Sequence, residues 1–180
     1  MKYYLVALLD KNSNFYMENL QKQVCRKYKL YKNHPALHIT VEVIDEPNLD
    51  VLDSVISDII KPYKRFKVEL NNAICFDSPY KSITMKVTNK GYITRLSRRL
   101  NEKLRFHGFK VRENNEILHI ALGNTNYSSK KSINEHISIN PNEKFTEDPG
   151  KMVKIERFEL WKAINNRKSL LIKSYPLKEY

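Results

Sequence analysis

The chain is poor in several things at once. Among its 180 residues are two cysteines, four glycines and seven prolines. Two cysteines, Cys25 and Cys75, far apart in sequence, cannot build a disulfide framework or a four-cysteine zinc site. They are expected to be buried, reduced thiols. So little glycine excludes collagen-like repeats, and no glycine-rich phosphate loop is present, which argues against an ATP-dependent ligase or kinase. No apolar run approaches the ~20 residues that a membrane-spanning helix needs. The opening stretch KYYLVALL lacks a small-residue cleavage site and reads as a first strand, not a signal peptide. The cytosol is therefore the expected compartment. Acidic residues are scarce relative to basic ones: 20 Asp plus Glu against 32 Lys plus Arg give a net charge of +12. A field of that sign attracts polyanions, so the natural partners are nucleic acid or a phosphorylated small molecule.

What is present is globular. Hydrophobic residues make up 41% and charged residues 29%, a composition that supports a packed core. The length fits one domain over 1–180, acting as a monomer. Strand-like segments fall at 2–9, 37–44, 65–76, 81–88, 116–122, 151–162 and 169–175. Helical periodicity marks 12–29, with Asn12 or Ser13 as cap, 49–62 opened by Pro47 and Asn48, and 90–106 ended by His107 and Gly108. A short helix is expected over 132–139. Asp77-Ser78-Pro79-Tyr80 and Asn165-Asn166-Arg167 read as turns. The order β-α-β-α-β-β-α-β-β-β, without regular βα alternation, indicates an α+β fold.

Two segments carry the chemistry. Leu37-His38-Ile39-Thr40-Val41 and Leu118-His119-Ile120-Ala121-Leu122 each set a histidine between apolar residues in a strand. Side chains alternate along a strand, so Leu37, Ile39 and Val41 take the core face and leave His38 with Thr40 on the other. His119 and Ala121 share a face in the same way. If the two strands are neighbours, both imidazoles enter one groove. Histidine serves as acid or base near neutral pH, which is what opening a phosphodiester requires.

The pattern His-apolar-Thr/Ser-apolar, occurring twice about eighty residues apart, resembles the signature of the 2H phosphoesterase superfamily. The nearest group is similar to the bacterial 2′-5′ RNA ligase and RNA 2′,3′-cyclic phosphodiesterase proteins. The closing Ser174-Tyr175-Pro176-Leu177 looks like that family's last strand. The resemblance implies a bilobal fold, with two pseudo-symmetric lobes of antiparallel sheet, helices on the outer faces and a central cleft. It implies metal-independent, cofactor-free action on RNA or nucleotide phosphodiesters: hydrolysis of a 2′,3′-cyclic phosphate to a 2′-phosphate, ligation, or cleavage of 2′-5′ links. By resemblance, His119 is the base on water and His38 the acid to the leaving 3′ oxygen, with the reverse left open. Thr40 would bond a phosphate oxygen. Ala121 departs from the pattern, standing where a hydroxyl is expected, so a non-catalytic RNA-binding protein of the same fold remains the rival.

Substrate contacts are expected from Lys86, on the polar face with Thr84 and Thr88, and from Arg112, with Lys81 and Lys162 as further cations. Asn124 and Tyr127 follow the second motif, and Tyr127 is placed to stack on a base. One of Tyr3 and Tyr4 should line the groove. Arg95, Arg98, Arg99, Lys103 and Arg105 belong to the outer face of their helix, where a solvated surface is the expectation. His107 sits favourably at a helix C-terminus. His34 and His136 lack the motif setting, and no residues have metal-ligand spacing.

Overall fold

The computed structural model describes residues 1–28, 30, 36–77, 82–88, 91–112, 117–124, 150–165 and 168–179, with side chains for all of these except 72–77. In chain order the elements are β1 (Lys2–Leu9), α1 (Lys11–Lys27), β2 (Ile39–Asp45), α2 (Leu49–Ile60), β3 (Phe66–Asp77), β4 (Ser82–Val87), α3 (Tyr92–Phe106), β5 (Lys110–Val111), β6 (His119–Asn124), β7 (Lys151–Asn165) and β8 (Lys168–Pro176). The expected strands and the three main helices are all found, with ends moved by at most three residues. The two-residue β5, which pairs with the end of β2, has no signal of its own in the sequence. The stretch expected to be helical at 132–139 and the tips of both turns lie outside the described residues.

The strands form one antiparallel path, β1-β2-β6-β4-β3-β7-β8, and β1 also pairs with β7. The long β7 ties the two halves together. Its start, Lys151 to Ile155, pairs with β3. Its remainder pairs with β1 on one edge and β8 on the other. The halves meet a second time at a single antiparallel pair, Ile39 with Ile120. This is the α+β arrangement that the order of elements suggested.

The helices cover the sheet where the alternation is apolar. Ile93, Leu96, Leu100 and Leu104 of α3 are fully buried, as are Leu52 and Ile56 of α2. Each such side chain stabilises the fold by roughly 1.5–3 kcal/mol. They pack into one core with Ile39, Val41 and Ile120 of the motif strands. Asn48 caps α2 through the backbone N–H groups of Asp50 and Val51. The α1 cap is Asp10, which accepts from the Ser13 N–H at 2.9 Å, rather than Asn12 or Ser13. The Ser13 hydroxyl is used elsewhere, accepting from the Lys154 N–H of β7. Gly108, at φ +79°, ends α3 in a conformation that costs other residues about 1–2 kcal/mol.

Cys25 is buried and free, donating to the Leu122 carbonyl, and burial pushes its thiol pKa up. The Cys75 side chain lies outside the described residues.

Candidate active site

Leu37, Ile39 and Val41, and likewise Leu118, Ile120 and Leu122, are at most 9% exposed. Their burial turns His38, Thr40, His119 and Ala121 to the opposite face. His38 stands one residue before β2 and His119 is the first residue of β6, and the two motif strands pair with each other at Ile39 and Ile120. That pair fixes the geometry. Counting outward in antiparallel register sets His38 across from Ala121 and Thr40 across from His119. On that register the two histidines are diagonal neighbours, near enough for His119 to act electrostatically on His38. A local two-fold axis between Ile39 and Ile120 exchanges them, and exchanges Thr40 with Ala121.

The two rings are held in the same way. His38 Nδ1 bonds the Ala36 carbonyl at 2.7 Å, and His119 Nδ1 bonds the Ile117 carbonyl at 3.1 Å. A carbonyl only accepts, so Nδ1 carries the proton in both. The lone pair of each neutral ring is thereby assigned to Nε2. Burial pushes the His38 pKa down; the Ala36 bond opposes this, and the nearby His119 adds to it. His38 is thus held toward its neutral form.

Neighbouring strands furnish the walls. Lys86 pairs directly with His119, and Thr84 with Ala121. Lys86 therefore sits on the motif face, as expected. Asn124 pairs with Ser82 and lies at the far end of β6. On the other side, Thr40 pairs with Val6, and Val6 with Glu159. A groove of about 900 Å³ runs from His38 and Thr40 past Tyr4 and Trp161 to Lys168 and Ser169. Tyr4 is the tyrosine that lines it; Tyr3 is buried in the core.

Two expected contacts lie elsewhere. The Arg112 guanidinium faces the buried Glu42 at 3.9 Å and donates to the Thr40 carbonyl at 3.2 Å. Glu42 also accepts from Asn101 of α3 at 2.6 Å. Arg112 is therefore drawn to the α3 side, where an otherwise unpaired buried carboxylate would be costly. Lys162 pairs with Tyr3 and so shares the core-side face, one residue out of phase with Trp161. Tyr127, Lys81, His34 and His136 lie outside the described residues. Among the described residues no three His, Cys, Asp or Glu side chains cluster as metal ligands.

The support behind His38 comes from β7, outside both motifs. The Trp161 ring meets the His38 ring edge-on, with centroids 4.9 Å apart. Its indole N–H donates to Glu159 at 2.7 Å, and the other Glu159 oxygen accepts from Arg157 at 2.8 Å. The available signal was a glutamate at 159 inside an apolar strand, two residues before the chain's single tryptophan.

The sequence profile described as the 2′-5′ RNA ligase superfamily matches residues 10–167. The chain belongs to that superfamily. No curated protein matches it. Among solved structures, E. coli LigT complexed with 3′-AMP superposes with a TM-score of 0.64 at 13% identity, covering 98% of this chain and 97% of that one. A Thermus thermophilus protein gives 0.65 at 12% identity, covering 99% of each chain. The MHV ns2 PDE domain gives 0.56 at 14% identity, covering 86% of this chain and 98% of that one. The superfamily member described here thus has the LigT-like 2H phosphoesterase fold, and phosphodiester chemistry is the class of activity its membership supports. No helix among the described residues is long and apolar enough to cross a membrane.

Proposed function

We propose that the protein hydrolyses 2′,3′-cyclic phosphate ends of RNA or oligonucleotides to 2′-phosphates, using His38 and His119 as an acid/base pair and no metal. The observation that carries this reading is the diagonal placement of two imidazoles across Ile39 and Ile120, each with Nδ1 tied to the carbonyl two residues back. A phosphate centred over the two-fold axis would meet one Nε2 on each side. That is the arrangement an in-line displacement needs, with water entering opposite the leaving oxygen.

The lowered pKa of His38 favours it as the base, the reverse of the assignment implied by resemblance. His38 Nε2 takes a proton from water as the water oxygen bonds to phosphorus. The bond from phosphorus to the 3′ oxygen breaks, and His119 Nε2–H protonates that oxygen. The products are a 2′-phosphate and a free 3′-hydroxyl. The two rings exchange protons with solvent before the next turnover. Thr40 donates to a non-bridging oxygen, and Lys86, beside His119, offsets phosphate charge. Ala121 donates nothing, so the second non-bridging oxygen lacks the matching hydroxyl.

The test is to incubate a short RNA ending in a 2′,3′-cyclic phosphate with the protein in EDTA, and to locate the product phosphate by ³¹P NMR. A 2′-phosphate supports the proposal. A 3′-phosphate refutes the stated leaving group. Binding of the RNA without turnover at any pH refutes catalysis and favours the binding-only reading that Ala121 suggests.

A further inference from the structure

Helix α3 lies against the core side of β2, the side opposite His38 and Thr40. Its outer face carries Arg95, Arg98, Arg99 and Lys103, all exposed, with Glu102 as the one carboxylate among them. None of these four cations is ion-paired among the described residues. Their charge therefore projects outward instead of being spent on the fold.

The face is concave. Two adjoining cavities, of about 390 and 580 Å³, share Tyr63 and Arg99. Between them they run beside α3 from Tyr92, near its start, to Phe106 at its end. That is about 21 Å for fourteen residue steps at 1.5 Å each. Cations recur along this length at about one-turn intervals, a spacing suited to successive phosphates of an extended strand. The aromatic groups are also turned out. Tyr92 is 58% exposed and Phe106 is 83% exposed. Tyr63 and Phe66 hold Tyr92 in place, with ring centroids 6.5 and 5.9 Å from it. Lys103 Nζ lies 5.9 Å from the Phe106 ring centre.

We propose that this groove binds single-stranded RNA on the face away from the cleft. A row of unpaired cations tracks phosphates, and exposed rings offer platforms for unpaired bases. A duplex keeps its bases stacked on each other and offers them no ring contact. This surface goes beyond the cleft chemistry and does not depend on it.

The experiment measures binding of a labelled oligouridine with an ordinary 3′-hydroxyl end by fluorescence anisotropy, against salt concentration. Arg95→Gln/Arg98→Gln/Arg99→Gln should weaken binding at least about tenfold. The slope of log Kd against log salt should fall by about 2, at about 0.7 per phosphate contact for a single strand. Tyr92→Ala/Phe106→Ala should weaken binding about tenfold with the slope unchanged. His38→Ala/His119→Ala should retain the affinity. Circular dichroism checks that each variant is folded. Unchanged affinity and slope in the arginine variant would overturn the proposal. So would equal binding to a duplex of the same length, or stronger binding to phosphatidylserine vesicles than to oligouridine. The arginine variant should still turn over a dinucleotide 2′,3′-cyclic phosphate. A wild type that binds oligouridine as described but never turns over that substrate counts against the cleft reading and leaves this one standing.

Discussion

Removing the Trp161 ring should change the proton affinity of His38, and the direction follows from the contacts. The ring meets the imidazole edge-on at 4.9 Å, and burial is the largest influence holding the His38 pKa down. Trp161→Ala admits water, so that pKa should rise toward the ordinary histidine value. The lost ring contact is worth about 0.5–1.5 kcal/mol. If it positions the imidazole for reaction, turnover should drop about two- to tenfold. Trp161→Phe separates the two effects. It keeps a ring against His38 but removes the N–H donor to Glu159, leaving a largely buried carboxylate oxygen short of a partner. That should cost about 1–3 kcal/mol of stability with a smaller change at His38. The assay is an NMR titration of the His38 ring protons, with melting temperature followed against pH. A depressed native pKa means that the unfolded chain binds the proton more readily. Stability from this group is present above the unfolded value of about 6.5 and is lost as pH falls through the folded pKa. Trp161→Ala should flatten that dependence. A His38 titration that stays in place, or moves down, refutes the reasoning.

Three other outcomes are expected. Ala121→Thr restores a hydroxyl at the position related to Thr40, and kcat/KM on a cyclic phosphate should rise by about tenfold, a gain steady-state kinetics would reveal or exclude. Asn101→Ala removes a donor to the buried Glu42; chemical denaturation should show a loss of about 1–3 kcal/mol with turnover little changed. Gly108→Ala forces a side chain into the φ +79° conformation and should cost about 1–2 kcal/mol in the same measurement, again without affecting turnover.

The motif segments were legible because their information is local. Alternation in Leu37-His38-Ile39-Thr40-Val41 fixes which side chains are buried, and the repeat at Leu118–Leu122 does the same. Burial followed that pattern at all six apolar positions. Lys86 was legible for the same reason. What failed was partner choice across the fold. Arg112 precedes the second motif in sequence, but its environment is set by Glu42 and Thr40, about seventy residues away. Lys162 is close in sequence to the last hairpin, but its pairing with Tyr3 decides its face. Trp161 reaches His38, with Glu159 behind it, because β7 pairs along β1 and β1 along β2, a register that no local periodicity encodes. The α1 cap moved to Asp10 because Ser13 is engaged by β7, another long-range demand.

The central claim, that His38 and His119 act as one acid/base unit, is tested most directly by the rates of four proteins on one cyclic-phosphate RNA in EDTA: wild type, His38→Ala, His119→Ala and the double variant. Each single change should lower kcat by about 10²–10⁴-fold, and the double variant should be little worse than the weaker single, as for groups that work together. Losses that multiply, or a single variant that keeps wild-type turnover, would contradict the two-histidine mechanism.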